Sequence, residues 1–154
     1  MPISHSSAHR CCFIAMAFLL SGPLAANAAP SCSVSATTVA FGTVAFSTVN
    51  STGTVKITCS GSAATFTVAL SNGAAGSYTP RQMSSGSNKL KYNLYKDSSR
   101  TQIWGDGSGG TVTNAGSTGN GGGSVSFTAY GQIPAQMGLV PATYGDSIIV
   151  TVSY

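Results

Sequence analysis

Apolar and polar residues alternate in several short runs along the chain, and a period of two predicts β-strands. The alternation is complete in residues 54–59, where Val55, Ile57 and Cys59 share one face. Further strands with one apolar face are predicted at residues 65–70, 90–94 and 125–129. Turn residues separate these runs about every ten residues, and no segment keeps a helical period. The pattern therefore predicts an all-β sandwich formed by one domain.

The first and last predicted strands are the two that border the domain. Residues 32–46 predict a long first strand with a kink or bulge at Gly42. Residues 147–154 predict the last strand, whose apolar face consists of Ile148, Val150, Val152 and Tyr154. Nothing follows Tyr154 in the sequence that could cover this strand. We therefore expect it to need a partner strand, from its own sheet or from another chain.

Three segments between these strands are interpreted from their local composition. Residues 78–83 predict a short strand at a sheet edge, because Pro80 cannot donate a ladder hydrogen bond. Residues 108–123 are rich in glycine and predict a flexible loop, with a short strand at residues 111–113. In residues 89–95, Leu90, Tyr92 and Leu94 are expected to face inward and Asn93 outward.

The first 28 residues are predicted to be a signal peptide that is removed from the exported protein. Arg10 precedes an apolar run, residues 11–20, that is too short to span a bilayer. Ala26 and Ala28 supply the small side chains that signal peptidases require. Cleavage after Ala28 would leave a mature domain of residues 29–154, which is long enough to build one hydrophobic core.

Cleavage would leave two cysteines, Cys32 and Cys59, in the mature chain. In an oxidising compartment these are expected to form a disulfide. Closing a loop of about 27 residues would stabilise the fold by roughly 3.5 kcal/mol in the chain-entropy model. The alternative is a lipid anchor on Cys32. It is disfavoured because residues 29–31 lack the leucine of a lipoprotein signal, and because Cys59 would remain a free thiol.

The composition of the mature chain argues against several functions. Without histidine or glutamate it cannot form a histidine-based triad, a glutamate pair or a histidine metal site, so we expect no enzyme activity and no cofactor. Asp97, Asp106 and Asp146 are too dispersed for a calcium-binding loop. The basic residues, Arg81 among them, are few and scattered, and we expect them to be solvated surface charges rather than a nucleic-acid interface.

Trp104 lies beside Gly105, Asp106 and Gly107 and has two interpretations. An aromatic side chain on a glycine-rich loop could be exposed and make an adhesive surface contact. The packed interpretation, with the indole over one end of the sandwich, is favoured because a lone tryptophan in a small domain is usually buried.

A series of motifs resembles the spore coat protein U domain family, which includes the subunits of archaic chaperone-usher pili. The motifs are Cys32, Phe41-Gly42, residues 55–59, residues 66–70 followed by Asn72-Gly73, Arg81-Gln82-Met83, residues 90–95 with Asp97 and Arg100, Trp104-Gly105-Asp106-Gly107, and Tyr144-Gly145-Asp146. Each motif is weak alone, but their order and spacing extend the resemblance over nearly all of the mature chain.

The resemblance implies an incomplete immunoglobulin-like sandwich that lacks its final strand and is completed by a donated one. The implied partners are a periplasmic chaperone, an outer-membrane usher and other pilus subunits. The implied location is the periplasm during assembly and then the cell surface, with a role in attachment and biofilm formation. Strand donation would pair with the free side of the last strand, so that Ile148, Val150, Val152 and Tyr154 would border the groove.

One feature departs from the family pattern. A subunit that donates a strand needs about ten or more free residues ahead of its first strand, at about 3.3 Å per residue. After the predicted cleavage only Ala29, Pro30 and Ser31 precede Cys32. We therefore expect a subunit that accepts a strand but does not easily donate one, as at a fibre terminus. The alternative is a spore or cyst coat protein, or a stand-alone secreted protein, of the same fold.

Overall fold

The computed structural model describes residues 28–154, in which all regular structure is β-strand and no helix could cross a membrane. The predicted signal peptide, residues 1–28, lies outside this range except for Ala28. The strands are β1 (Ser31–Ala36), β2 (Val49–Ser60), β3 (Ala64–Leu70), β4 (Arg81–Ser85), β5 (Asn88–Tyr95), β6 (Asn114–Thr118), β7 (Gly123–Ile133) and β8 (Val150–Ser153).

In residues 28–154 the strands form two antiparallel sheets. Five strands make one sheet in the order β1-β2-β7-β5-β4, and three make the other in the order β6-β3-β8. The longest pairing joins β2 to β7, from Val49 opposite Ile133 to Cys59 opposite Gly123. Both β1 and β8 lie at the edge of their sheet. The predicted all-β class is thereby confirmed, and the edge positions of the first and last strands determine where the domain is open.

The inward face of each sheet consists of the alternating apolar residues that the sequence indicates. In β3, and in β2 from Gly53 onward, every second residue is buried, and the fully buried side chains include Ile57, Phe66 and Val68. Phe127 packs edge-to-face against Phe66, with ring centroids 6.5 Å apart. Aromatic pairs favour this geometry because of their ring quadrupoles. The core beneath β3 and β6 is therefore filled by interlocking rings.

Trp104 belongs to this core. Its side chain is fully buried, and its indole N–H donates a hydrogen bond to the carbonyl oxygen of Val68 at 2.9 Å. Its ring centroid lies 6.1 Å from that of Phe127. The interpretation of Trp104 as an adhesive surface contact is therefore wrong, because the indole has no exposed surface to offer. A buried indole needs a hydrogen-bond acceptor, and the end of β3 provides one.

The predicted disulfide is present between Cys32 and Cys59. The two cysteines lie directly opposite each other where β1 pairs with β2. The bond therefore attaches the edge strand β1 to the interior of its sheet.

The first strand is shorter than predicted, because β1 ends at Ala36 and residues 37–48 form no strand. The chain turns instead onto the inner face of the five-stranded sheet. There, a Cβ atom on Gly131 would lie 2.6 Å from Val39 Cγ1 and 2.7 Å from Phe41 Cζ. A Cβ on Gly53 would meet Val39 at a similarly short distance, 2.7 Å. Because these two glycines have no side chains, Val39 and Phe41 can pack against the sheet at their positions instead of continuing the edge strand.

Two strands are placed differently from their prediction. β6 lies within the segment expected to be a loop, and its Gly116 faces the rings of Phe66 and Phe127 at 2.9 and 3.2 Å from an ideal Cβ position. A strand with so few large side chains gives no alternating signal. β8 covers only residues 150–153 of the predicted 147–154. β4 begins at Arg81, after a cis Thr79–Pro80 bond, and is an edge strand as Pro80 predicted.

Candidate functional site

An open groove of about 1030 Å³ lies between the two sheets. Residues 36–46, which follow β1, form one side, and the segment from Leu139 to Val150, which leads into β8, forms the other. The groove is present because the three-stranded sheet does not reach across the full width of the five-stranded sheet. It marks the place where a further strand would complete the sandwich.

The floor of the groove is the inward face of the five-stranded sheet. The apolar side chains that line it come from four of its strands, and all but Met83 are buried: Val55, Met83, Leu90, Tyr92, Leu94, Ala129 and Ile133. Phe41 crosses part of this floor and packs edge-to-face against Tyr92, with centroids 6.2 Å apart. The one aspartate that lines the groove is Asp146. Such a surface suits a strand with apolar side chains on its inward face.

Several apolar side chains along the groove remain exposed. Phe46 is 74% exposed and Val140 is 49% exposed, and both line the groove from opposite sides. Val34, on β1, is 41% exposed although Cys32, two residues earlier on the same face, is half-buried. Phe46 and Val140 therefore leave apolar surface exposed on both sides of the groove, as is typical of binding surfaces in soluble proteins.

The backbone of β8 has one free side. The Ser71 N–H donates to the carbonyl oxygen of Ile149 at 2.9 Å, which identifies Ile149 as a residue that bonds toward β3. In an antiparallel ladder this role alternates, so Thr151 and Ser153 also bond toward β3. The N–H and C=O groups of Val150 and Val152 therefore point away from β3, to the side where the described chain places no strand.

The same alternation applies to β1. The Thr37 N–H donates to the Thr54 carbonyl oxygen at 2.9 Å, in register with the pairing of β1 and β2. Val34 and Ala36 therefore direct their backbone groups away from β2. In both edge strands, the residues with unpaired backbone groups are those whose side chains face the interior. An added strand could pair with either edge while its alternate side chains enter the groove.

The four residues predicted to border the groove are not equivalent in the structure. Ile148 and Val150 line the groove directly. Val152 is half-buried against the core and is not among the residues that line the groove. Tyr154 is 58% exposed, beyond the end of β8.

Polar contacts hold the segment that precedes β8. Gly145 and Ser84 exchange two backbone hydrogen bonds, of 2.8 and 3.1 Å, which join this segment to the edge strand β4. Asp146 accepts a hydrogen bond from the Tyr92 hydroxyl at 2.6 Å and one from the Ala74 N–H at 2.9 Å. Burial, and then the bond to Asp146, raise the pKa of Tyr92 above that of a free tyrosine. The groove is therefore bounded at this end by a segment bonded to the five-stranded sheet and to the loop that follows β3.

Arg81 is fully buried, so the expectation that it is a surface charge is wrong. Its guanidinium donates four hydrogen bonds, all to neutral oxygens. Nε and Nη2 bond the Ser71 carbonyl at 3.1 and 2.8 Å, Nη2 also bonds the Trp104 carbonyl at 2.7 Å, and Nη1 bonds Asn93 Oδ1 at 2.8 Å. Its Cζ lies 4.9 Å from the centroid of the Tyr78 ring. Burial lowers the pKa of Arg81, as expected when a cation is desolvated.

Asn93 was expected to face outward, but it is buried. Its amide Nδ2 donates to the Tyr78 carbonyl at 2.8 Å, while its Oδ1 accepts from Arg81 and from the Leu94 N–H. The segment that ends in Pro80 covers this part of β5. Alternation alone cannot reveal Arg81 or Asn93 as buried, and the one signal in the sequence is their place in the motifs that carry the family resemblance.

The three aspartates are not brought together. Asp97 accepts hydrogen bonds within its own loop, from the Gln102 N–H at 2.8 Å and the Thr101 N–H at 3.1 Å. These bonds, that of Gln102 first, lower the pKa of Asp97. Asp106 likewise bonds Ser108 in its own turn. Among residues 28–154, no group of three or more histidine, cysteine, aspartate or glutamate side chains is placed to hold a metal ion.

Comparison with solved structures shows a pilus protein of similar fold. A chain in the crystal structure of the CsuC–CsuE chaperone–tip adhesion subunit pre-assembly complex, from archaic chaperone-usher Csu pili of Acinetobacter baumannii, is 25% identical and superposes with a TM-score of 0.58. The match covers 82% of this chain and 40% of that chain. It confirms the predicted immunoglobulin-like sandwich. Among curated proteins, no sequence matches this chain.

The family comparison covers more of the sequence than the structural one. The family model described as the Spore Coat Protein U domain matches residues 17–151, which include all of β1 to β7 and the start of β8. The predicted resemblance is thereby confirmed, and the chain belongs to the Spore Coat Protein U domain family.

Proposed function

We propose that this chain is a structural, non-catalytic subunit of an archaic chaperone-usher pilus and that its groove accepts a β-strand from another protein. The observation that carries the proposal is the combination of an apolar groove with two unpaired strand edges, β1 and β8, which reach it at Ala36 and Val150. A donated strand would satisfy the free backbone groups of β8 or β1. Its alternate side chains would cover the floor around Leu90 and Tyr92.

The neighbouring structure supports a chaperone as the first partner. It is described as a chaperone–subunit complex captured before assembly, and the present chain shares its fold and its family with pilus subunits. A subunit with a vacant groove would expose apolar residues and would aggregate in the periplasm. A partner strand must therefore cover the groove soon after export. We propose that an outer-membrane usher and a strand from another subunit act later, at the cell surface.

Further parts of the proposal come from the sequence. We propose that residues 1–28 are a signal peptide and that residues 29–154 are the exported domain. Since only three residues would then precede Cys32, we place this subunit at a fibre terminus, where it accepts a strand but donates none. A role in surface attachment and biofilm formation follows from that place in a pilus.

A self-complemented variant tests whether the groove accepts a strand. A short Asn-Gly turn and a seven-residue strand of alternating valine and threonine are appended after Tyr154, so that the new strand folds back along β8 as a hairpin. If the appended strand increases the free energy of unfolding by about 2 kcal/mol, the Tm should rise by roughly 8 °C in a domain of this size. Binding of a dye that reports exposed apolar surface should fall at the same time.

The matched control carries the same turn followed by serine, threonine and glycine only. It adds the same length of chain without apolar side chains, so its Tm should stay close to that of the unmodified protein. Equal Tm values for the two appended proteins would contradict strand acceptance. A vacant protein that is already highly stable and binds no dye would instead favour a stand-alone secreted or coat protein.

Co-expression tests the identity of the first partner. The full chain is produced with and without a periplasmic pilus chaperone, and soluble periplasmic protein is measured. Recovery of a one-to-one complex, with little soluble protein when the chaperone is absent, is expected. Equal yields of free monomer in both cultures would count against a chaperone-dependent pilus subunit.

A further inference from the structure

We infer that Arg81 is a positioning residue for the groove: through Ser71 it fixes the start of β8, the strand whose open edge receives the donated strand. This inference rests on the proposed function. Arg81 is not among the residues that line the groove, so it cannot contact an incoming strand itself. Its influence has to pass through the residues to which it is bonded.

The first link is the bond between Arg81 and Ser71. Arg81 lies at the start of β4 in the five-stranded sheet, and Ser71 directly follows β3 in the other sheet. Two guanidinium nitrogens converge on the Ser71 carbonyl oxygen, Nη2 at 2.8 Å and Nε at 3.1 Å. A planar fork that bonds one oxygen from two nitrogens fixes its position in a way that a lysine ammonium does not. Arg81 therefore holds the end of β3 against the opposite sheet.

The second link joins Ser71 to Ile149, the residue that precedes β8. The Ser71 N–H donates to the Ile149 carbonyl at 2.9 Å, and the Ile149 N–H donates to Ser71 Oγ at 2.9 Å. Ile149 immediately precedes Val150, the first residue of β8 and part of the groove wall. Ser71 is therefore bonded by its carbonyl to Arg81 and by its two other polar groups to the groove strand.

The burial of Arg81 indicates that this arrangement is more than a surface contact. The side chain is 0% exposed, and a desolvated cation is costly unless its hydrogen bonds are satisfied. Those bonds go to Ser71, Asn93 and Trp104, which belong to both sides of the sandwich. The ionisable groups close enough to act electrostatically on Arg81 are the phenols of Tyr92 and Tyr78 and the carboxylates of Asp146 and Asp106. A core that needed only volume at this position would be served by an apolar residue.

The test compares how much the appended valine–threonine strand raises the Tm in different backgrounds. The gain is the Tm of the protein with the valine–threonine strand minus that of the protein with the polar strand. A residue that only stabilises the domain lowers both Tm values and leaves the gain unchanged. In R81K and in S71A we expect the gain to fall to less than half of the wild-type value.

Two control variants separate positioning from general stability. R100K replaces another arginine by lysine. Arg100 also donates to carbonyl oxygens, those of Ser98 and Gly131, and lies over the Tyr130 ring, but these contacts include no residue of β8. I57A truncates a fully buried side chain of β2 that does not line the groove. Both controls should keep the full gain, although I57A lowers the Tm of each form.

Hydrogen exchange supplies a local measurement. In the vacant protein, R81K and S71A should speed exchange of the amides of Ser71 and Thr151 at least tenfold, while amides of β2 and β7 stay protected. The double variant R81K/S71A should lose no more of the gain than the more severe single variant, because both act through one chain of contacts.

The outcomes distinguish this inference from the proposed function. If the wild type shows no gain from the appended strand, the proposed function fails. If the wild type shows the gain and R81K and S71A retain it, or lose it only as much as R100K does, the positioning role is overturned. Should R81K not fold, S71A tests the second link alone, because it removes the Ser71 Oγ that accepts from Ile149 and keeps the carbonyl that Arg81 bonds; a gain retained in S71A would overturn the positioning role.

Discussion

The two halves of the sandwich are packed in opposite ways. Beneath β3 and β6, the rings of Phe66, Phe127 and Trp104 interlock, and Gly116 allows them to approach. Between β1 and β8, the same five-stranded sheet presents an equally apolar inner face to a groove of about 1030 Å³. We call these regions the closed half and the open half.

The alternating pattern buries the inward side chains in both halves, and the halves differ in what lies over those side chains. Leu90 on the floor of the open half and Phe66 in the closed half follow the same alternation. Phe66 lies in the central strand of its sheet, between β6 and β8, and is packed against Phe127, whereas Leu90 lines the groove. Part of the space left by the missing strand is filled by Val39 and Phe41, which fold onto Gly53 and Gly131. The remaining space needs a segment from elsewhere.

Removing the indole of Trp104 should have the largest effect on stability. Trp104→Ala deletes a fully buried ring and its hydrogen bond to Val68, and is expected to lower the free energy of unfolding by about 4 kcal/mol. Urea unfolding of the vacant protein measures this. The comparison variant is Leu139→Ala on the groove side, which should cost less than about 1 kcal/mol because its side chain is only half-buried. Equal losses would remove the distinction between the halves.

Removing the disulfide should weaken the open half in particular. Cys32→Ser with Cys59→Ser frees β1 from covalent attachment and is expected to lower the free energy of unfolding by about 3.5 kcal/mol. Amides of β1 should then exchange faster, because β1 pairs on one side only, whereas amides of β3 should keep their protection. Reduction of the wild type by a thiol reagent should reproduce the change. Uniform loss of protection in both strands would contradict this account.

Two buried alanines offer a matched comparison of packing. Ala64 lies in β3 of the closed half and Ala129 lines the groove, and each is 4% exposed. Ala64→Val should cost about 1–3 kcal/mol, because a filled core cannot accept added methyl groups without strain. Ala129→Val should cost less, because its added volume enters the groove, and it should reduce the gain from an appended strand. Thermal unfolding of both variants checks the order, and a larger cost at Ala129 would reverse it.

The smallest expected effect is the loss of stability at alkaline pH that is due to Tyr92, on the floor of the open half. The pKa of Tyr92 is raised by burial, so the folded protein keeps the phenol neutral where an unfolded tyrosine, with a pKa near 10, ionises. This stabilising contribution is complete below about pH 10 and is lost as the pH rises further, by at most about 1.4 kcal/mol per pH unit. Tyr92→Phe should show a shallower loss between pH 10 and 12. An identical slope in both proteins would mean that Tyr92 is not held neutral by the fold.

Much of the sheet structure is predictable from the sequence, because the signal is local. The runs around Ile57, Phe66 and Leu90 keep a strict period of two, and their inward residues are buried as expected. The disulfide is predictable because removal of the signal peptide would leave a single pair of cysteines. Each inference needs only neighbouring residues or simple counting.

The structural features that the sequence does not predict depend on contacts between residues far apart in the chain. Arg81 carries a charge that usually indicates solvent, yet its acceptors at Ser71, Asn93 and Trp104 come from three other segments. The first strand was predicted to continue to Phe46 because its apolar spacing is suitable. What ends it at Ala36 is a pair of glycines in β2 and β7. The groove itself follows from the sheet topology, which no single run of residues specifies.

The alternation in β8 also determines how an incoming strand can move. Val150 and Val152 each combine an inward side chain with an outward N–H group. A slip of one residue would keep the backbone bonds but turn the guest's polar side chains toward the floor, whereas a slip of two would restore both. An incoming strand should therefore shift its register along β8 in steps of two residues, about 6.7 Å each, because only every second register is stable.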